Sequence, residues 1–441
     1  MFKLFLLFVL SPFGLHMAKS TFMTSLDRDT ANDLDDAVPE WWDEYLLHDA
    51  ERKSFWTANM MGSQGSKKPV IRKDDYLRYK SGDIIHINVL QRLFGPGVTG
   101  ENLLRTNEDK FNCEDFNFTV SRIRNAIAWT KDIVREVNFD VRMQGVDGLA
   151  SWLAMYTDDI IMNEFINGAT APSSIYGGNA TTVDTLNDGD ELGLDEIDKV
   201  KLALGRQGCE MFDSSGGRMY GLLIDEISAY RLRGDTQFIA AQHDAAPRSY
   251  TENNLWTGGF ATYFGIWNGV CIYVLNSVRS GAVLRGSYIR PECQVYSSYT
   301  AAGGTLTVGA DTSKDYTKYF PATGKLYIQT DGSGNTAEEV TYSAKTNNAF
   351  TISSTSSYNH AADALVTYYE QVSRCIGFGS EAIVFGYGQK PENVDQTDDY
   401  GMITGIGVDA VMGAKLVEDS ASTVPNAVIL NVKAKNPSYT V

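Results

Sequence analysis

The chain has 441 residues, 43% of them hydrophobic and 11% aromatic, enough apolar mass for roughly two to four domain cores and inconsistent with a disordered or fibrous protein. Thirty-eight Lys and Arg against 55 Asp and Glu leave a net charge of −17, which argues against direct attraction to nucleic-acid phosphates or anionic membranes. The cysteines Cys113, Cys209, Cys271, Cys293 and Cys375 form no CxxC and have no His at metal-ligand spacing, so no disulfide framework, structural zinc or cofactor is expected.

Residues 2–10, FKLFLLFVL, have the texture of a signal-peptide core and are too short to span a bilayer. Two readings of residues 1–16 stay open: an export signal, or a start placed too early, with Met17 opening the protein. Residues 17–61 form an N-terminal arm, acidic at first. After Pro39, the spacing of Trp41, Tyr45, Leu46, Phe55 and Trp56 predicts a helix. Residues 62–125 make an extended loop region: a basic stretch at Lys67–Lys80, a β-rich run at Ser81–Leu93, a glycine turn at Gly95–Gly100 and a returning strand at Phe111–Thr119.

Residues 126–295 form a spine helix and a main α/β body. The helix is expected from Ala126 to about Phe165 with a break near Gly145–Gly148. Leu149, Trp152, Leu153, Tyr156, Ile160 and Ile161 lie on its apolar face, and Asp158, Asp159 and Glu164 on a solvated one. A Gly-rich connection leads to a helix at Leu194–Gly208, whose Asp195 and Glu196 suit the positive end of its dipole. A strand at Tyr220–Ile224, a helix at Glu226–Ala241 and a strand at Ile266–Asn276 follow, a layered α/β or α+β pattern. Residues 296–370 lose charge and carry short alternating runs between turn residues, which predicts a separable inserted β domain. Residues 371–441 return to the main body in glycine-punctuated strands.

Little in the chain resembles a catalytic set. The turn at Gly95–Gly100 lacks the GK[ST] ending of a phosphate loop. Asp158-Asp159 and Glu338-Glu339 are neighbours whose side chains diverge, so they cannot share a site, and solvated faces account for them. His86 and His243 stand alone, Gly379-Ser380-Glu381 is no nucleophile elbow, and HExxH is absent. Asn117-Phe118-Thr119 and Asn179-Ala180-Thr181 match glycosylation sequons, which matter only with export. Trp41-Trp42 and Trp56 could stack on a sugar, though aromatics at helical spacing are more often core or interface.

The segment SGDIIHINVLQRLFGPGVTGENLLRTNEDKF resembles the tailed-bacteriophage major capsid proteins that carry a G-[AP]-G-V-T-G turn followed by L-x-x-N-E. The matching residues are Gly95, Gly97, Val98, Thr99, Gly100, Leu104, Asn107 and Glu108. DIIMNEFING, GLLIDEISAYRLRGD, SRCIGFGSEAIVFGYG and DDYGMITGIGVDAVMGAKLV match further, in the family's order. The resemblance runs from about Ser25 to the C-terminus. It implies an α+β fold of the HK-97 type, no enzyme activity, and a virion shell protein assembled in the host cytoplasm. Its partners would be its own copies in hexamers and pentamers, with scaffolding, portal or decoration proteins as further candidates; it would enclose DNA without binding it specifically and would contact no membrane. The insertion is similar to a β module of phage virion proteins through Glu339, Tyr342, His360 and Asp363, although it lacks that module's threonine-arginine-glycine turn. Some shells of this fold form covalent Lys–Asn cross-links. Lys67, Lys68, Lys73 and Lys80 lie near the loop but cluster with Arg72, Asp74, Asp75 and Arg78, a hydrated setting in which Lys is a poor nucleophile, so no cross-link is expected. The competing reading is a secreted bacterial surface or carbohydrate-binding protein, motivated by residues 1–16, the Thr/Ser-rich β module and the aromatics.

Overall fold

The computed structural model describes residues 46–63, 65–74, 84–90, 97–101, 104–105, 108, 113–168, 172–214, 217–238, 240, 263–275, 285–286, 288–301, 304–312, 314–329, 336–354, 356–419 and 424–435. The readings placed on residues 1–45, on Gly95, Asn107, Lys80 and on His243 fall outside them. The chain divides into two units. The smaller takes the described residues of Met1–Ala50, Arg124–Ser151 and Pro391–Asp409, and the larger takes the rest.

The larger unit is built on a mixed sheet in the order Ser173–Tyr176, Ala427–Lys433, Val372–Phe378, Gly217–Asp225, Val270–Leu275, Tyr263–Trp267. Its central strands are covered on both faces, which is why AVILNVK and VSRCIGF are buried at every position. Helix Leu194–Arg206 lays Ile197, Val200 and Leu204 onto this sheet beside Leu222, Ile272 and Leu430. The last two strands were expected as one at Ile266–Asn276. They are a hairpin instead, because Asn268 and Gly269 both take positive φ (44° and 80°), the backbone a tight two-residue turn demands. The helix expected over Glu226–Ala241 is also shorter. It spans Glu226–Arg233, is capped by the Asp225 side chain accepting from the Ile227 N–H, and ends at Gly234.

A second sheet of this unit runs Arg285–Gly286, Pro291–Gln294, Leu365–Tyr368, Gly324–Ile328, Glu338–Thr346, Ala349–Ile352, Thr305–Thr307. The alternating runs of residues 296–370 thus pair as a β module, but its sheet already includes Arg285–Gly286 and Pro291–Gln294. Its core also takes in Leu186 and Val372 from the flanking body. Lys345 holds the 315–320 segment in place, its ammonium donating to the carbonyls of Thr317 (2.8 Å), Lys318 (3.1 Å) and Phe320 (2.7 Å).

The helical tract differs most from expectation. Ser121–Thr130 is a strand, Lys131–Glu136 a short helix, and the long helix is Val141–Asn167. The interruption falls at 137–140, where Asp140 caps the long helix by accepting from the N–H groups of Arg142 (3.0 Å) and Met143 (3.2 Å). No break occurs at Gly145–Gly148. A Cβ on Gly145 would lie 3.0 Å from Ile406 and 3.5 Å from the Trp129 ring, so this glycine lets two side chains close on the helix. Within the smaller unit, the turn Asp399–Gly401 follows Pro391–Asp398, and the Lys131 N–H donates to the Met402 carbonyl. None of the described helices is long and apolar enough to cross a membrane.

Candidate functional site

The two arms of the extended loop form a regular hairpin, Ile84–Leu90 against Cys113–Thr119, paired from Ile84↔Thr119 to Leu90↔Cys113 without a bulge. The end at Ile84 and Thr119 is anchored. Ile85 and Phe118 are buried with Ile71, Val120 and Val384, while Ile84, His86, Asn117 and Thr119 are exposed.

Of the motif residues, Gly97, Val98, Thr99, Gly100, Leu104 and Glu108 are described. Gly97 (φ 69°) and Gly100 (φ 73°) are left-handed, and a Cβ on either would meet no heavy atom within 4 Å. Conformation rather than crowding therefore makes glycine necessary here. Gly97, Thr99, Gly100, Leu104 and Glu108 are exposed and Val98 half-buried. Replacing Gly97 with Val should lower the monomer's thermal midpoint little while hindering self-association strongly. Equal loss of both, measured by calorimetry and light scattering, would place the turn in a monomer core.

The basic segment at the root of the hairpin is pinned by short-range charge. Arg72 pairs with Glu51 (2.7 Å) and Asp74 (2.9 Å) and lies over the Tyr387 ring. The Lys68 ammonium donates to the Asp213 carbonyl (3.2 Å), and Lys67 lies 4.0 Å from Glu210.

The acid pairs diverge as expected, but solvated faces do not account for them. Asp158 accepts from the Ser54 hydroxyl (2.6 Å) and from the N–H groups of Phe55 (3.0 Å) and Trp56 (3.3 Å), fixing the 54–56 turn to the long helix. Asp159 is buried and pairs with Lys318, fixing the β module to the same helix. Glu338 accepts from Ser356 (2.7 Å), the Ser357 N–H (2.8 Å) and the ring of His360 (3.0 Å), which is itself buried against Tyr299. Glu339 faces Lys325 at 3.1 Å. These carboxylates are fasteners. Among the described residues, no three His, Cys, Asp or Glu side chains gather where they could hold a metal ion.

Burial pushes the Asp158 carboxyl up to about 6 against the pull of its three donors, with Asp159 adding to the rise. A folded-state value above the unfolded one means that the native state binds the proton more tightly. This group's contribution is therefore largest at acid pH and falls as pH rises from about 4 to about 6. Glu338 has the opposite sign. Burial alone would raise it, but its donors outweigh burial and hold it below the usual carboxylate range, so its contribution is lost as pH falls. Urea midpoints of the wild type and Asp158→Asn should diverge on acidification from pH 7 to 4.5, the wild type gaining on the order of 2–3 kcal/mol relative to the variant. Parallel profiles would contradict the buried carboxyl.

A sequence model of the family described as phage capsid protein matches residues 16–189. No curated protein sequence matches the chain. Among solved structures, the capsid of Ralstonia phage GP4 is similar at a TM-score of 0.56 and 14% identity, over 88% of this chain and 92% of that one. The head of Helicobacter pylori bacteriophage KHP40 is similar at 0.53 and 14%, over 87% and 91%. The cyanophage Pam1 capsid asymmetric unit is similar at 0.53 and 14%, over 87% and 93%. The chain has the α+β fold of these HK-97-type phage capsid proteins.

Proposed function

We propose that this chain is the major capsid protein of a tailed bacteriophage and that it associates with its own copies, as hexamers and pentamers, into an icosahedral shell around packaged DNA. The observation that carries the reading is a fold shared with phage capsid subunits across nearly the whole length of both chains. The hairpin with its exposed glycine turn is the part such a subunit needs to overlap a neighbour. The buried acids serve structure, in keeping with a non-enzymatic shell protein. A net charge of −17 keeps a shell from adhering to the DNA it encloses.

In this reading, assembly takes place in the host cytoplasm, scaffolding, portal and decoration proteins are the further partners, and the β module adds noncovalent mass to the subunit. Light scattering on the purified protein tests it: large, uniform particles are expected. A monomer at every salt and protein concentration would overturn it.

A further inference from the structure

The β module exposes a ridge of unusual composition. Residues 296–301 (YSSYTA) and 357–361 (SYNHA) lie side by side, joined by the Tyr299 N–H donating to the His360 carbonyl (2.8 Å) and the His360 N–H donating to that of Tyr299 (2.9 Å). Tyr296 and Tyr358 are 57% and 43% exposed, with Ser297, Ser298, Ser357 and Asn359 exposed beside them in sequence. The two stretches hold no Lys, Arg, Asp or Glu, in a chain of net charge −17. In this antiparallel register Tyr358 falls opposite Ala301, five residues from Tyr296, so the ridge between the two tyrosines is at most roughly 17 Å long.

Buried groups hold this ridge in place. Tyr299 and His360 are buried, and their rings stack at 6.5 Å. Glu338, accepting from Ser356, the Ser357 N–H and the His360 ring, fixes the second stretch. The Ala301 N–H donates to the side-chain oxygen of Asn359 (2.6 Å), which ties the two stretches together again and leaves the Asn359 amide N–H groups to donate elsewhere. The Tyr296 N–H donates to the Thr307 carbonyl at 2.9 Å. The exposed side chains therefore stand on an ordered backbone, which lowers the entropic cost of binding a ligand.

Tyrosine with serine and asparagine makes an adaptable recognition surface: the rigid ring offers apolar area and a hydroxyl, and the small polar side chains supply hydrogen bonds. Lacking charge, this surface suits a neutral, hydroxyl-rich ligand whose C–H faces lie against aromatic rings. A protein partner asks for more, because protein interfaces of about 800 Å² a side centre on buried apolar anchors. Among the described residues of 285–370 the two tyrosines are the only large apolar side chains exposed, whereas Ile127, Ile133, Val134, Phe139 and Met143 are exposed in the smaller unit. We propose that the Tyr296–Tyr358 ridge binds a neutral polysaccharide. This binding is separate from self-association, and neither depends on the other.

Biolayer interferometry of the full-length protein on immobilised dextran, mannan and galactomannan, with polyanionic alginate alongside, tests the proposal. Binding to at least one of the three neutral polymers is expected, and none to alginate. Tyr296→Ala/Tyr358→Ala should weaken that binding about tenfold or more, and Tyr296→Phe/Tyr358→Phe by less than about threefold, because the rings carry the contact. Neither double variant should move the thermal midpoint, since both side chains are exposed. Binding to none of the neutral polymers would overturn the proposal. So would full binding by the double alanine variant, which would place the polymer elsewhere, or equal binding to alginate, which would mark an attraction that the uncharged ridge does not supply.

Discussion

Replacing Arg290 with Met is expected to lower stability by about 3–5 kcal/mol, as breaking one side of a buried ion pair does. Arg290 is 7% exposed and lies between two buried carboxylates. It pairs with Glu292, and its Nε is 3.4 Å from Asp225. Asp225 also caps helix Glu226–Arg233 and accepts from the Ser373 hydroxyl at 2.7 Å. Removing the guanidinium takes a cation from between two buried acids, where the central sheet hands the chain to the β module. The sign of the coupling gives a sharper check. Arg290→Met/Glu292→Met should be less destabilised than Arg290→Met alone, because one stranded charge is gone. A urea-denaturation cycle with strictly additive losses would contradict the buried network.

Trp56→Ala should cost a similar amount, about 3–5 kcal/mol for a fully buried large aromatic. The Trp56 ring has no exposed area. It stacks on Phe165 of the long helix at 5.5 Å and meets Phe378 of the central sheet edge-on at the same separation. With Asp158 holding the backbone of the same turn, this ring fixes the last part of the arm within the larger unit. The variant should therefore also be cut faster by trypsin at Arg52 and Lys53. Unchanged proteolysis together with a loss below about 1 kcal/mol would contradict this anchoring.

The parts legible in the sequence are those whose pattern is local. The hairpin arms, helix Leu194–Arg206, the strand through Tyr220–Ile224 and the returning C-terminal strands follow from alternation, periodicity and runs of apolar residues. Ala126–Thr130, expected as the start of the long helix, is the end of a strand: five residues are too few to separate the two periods, and Ile127 and Trp129 share one face of a strand. The acids were misread for another reason. Asp158 finds its donors about a hundred positions earlier, and Asp159 finds Lys318 159 positions later. Nothing local distinguishes such a carboxylate from a solvated one. The exposed turn was half legible, its glycines by type.

Electron cryomicroscopy of the purified, full-length protein tests the central claim most directly. Closed icosahedral shells are expected, with this subunit arranged in hexamers and pentamers and each Ile84–Leu90/Cys113–Thr119 hairpin lying over a neighbouring subunit. A monodisperse monomer, or particles in which every hairpin folds back on its own subunit, would contradict it.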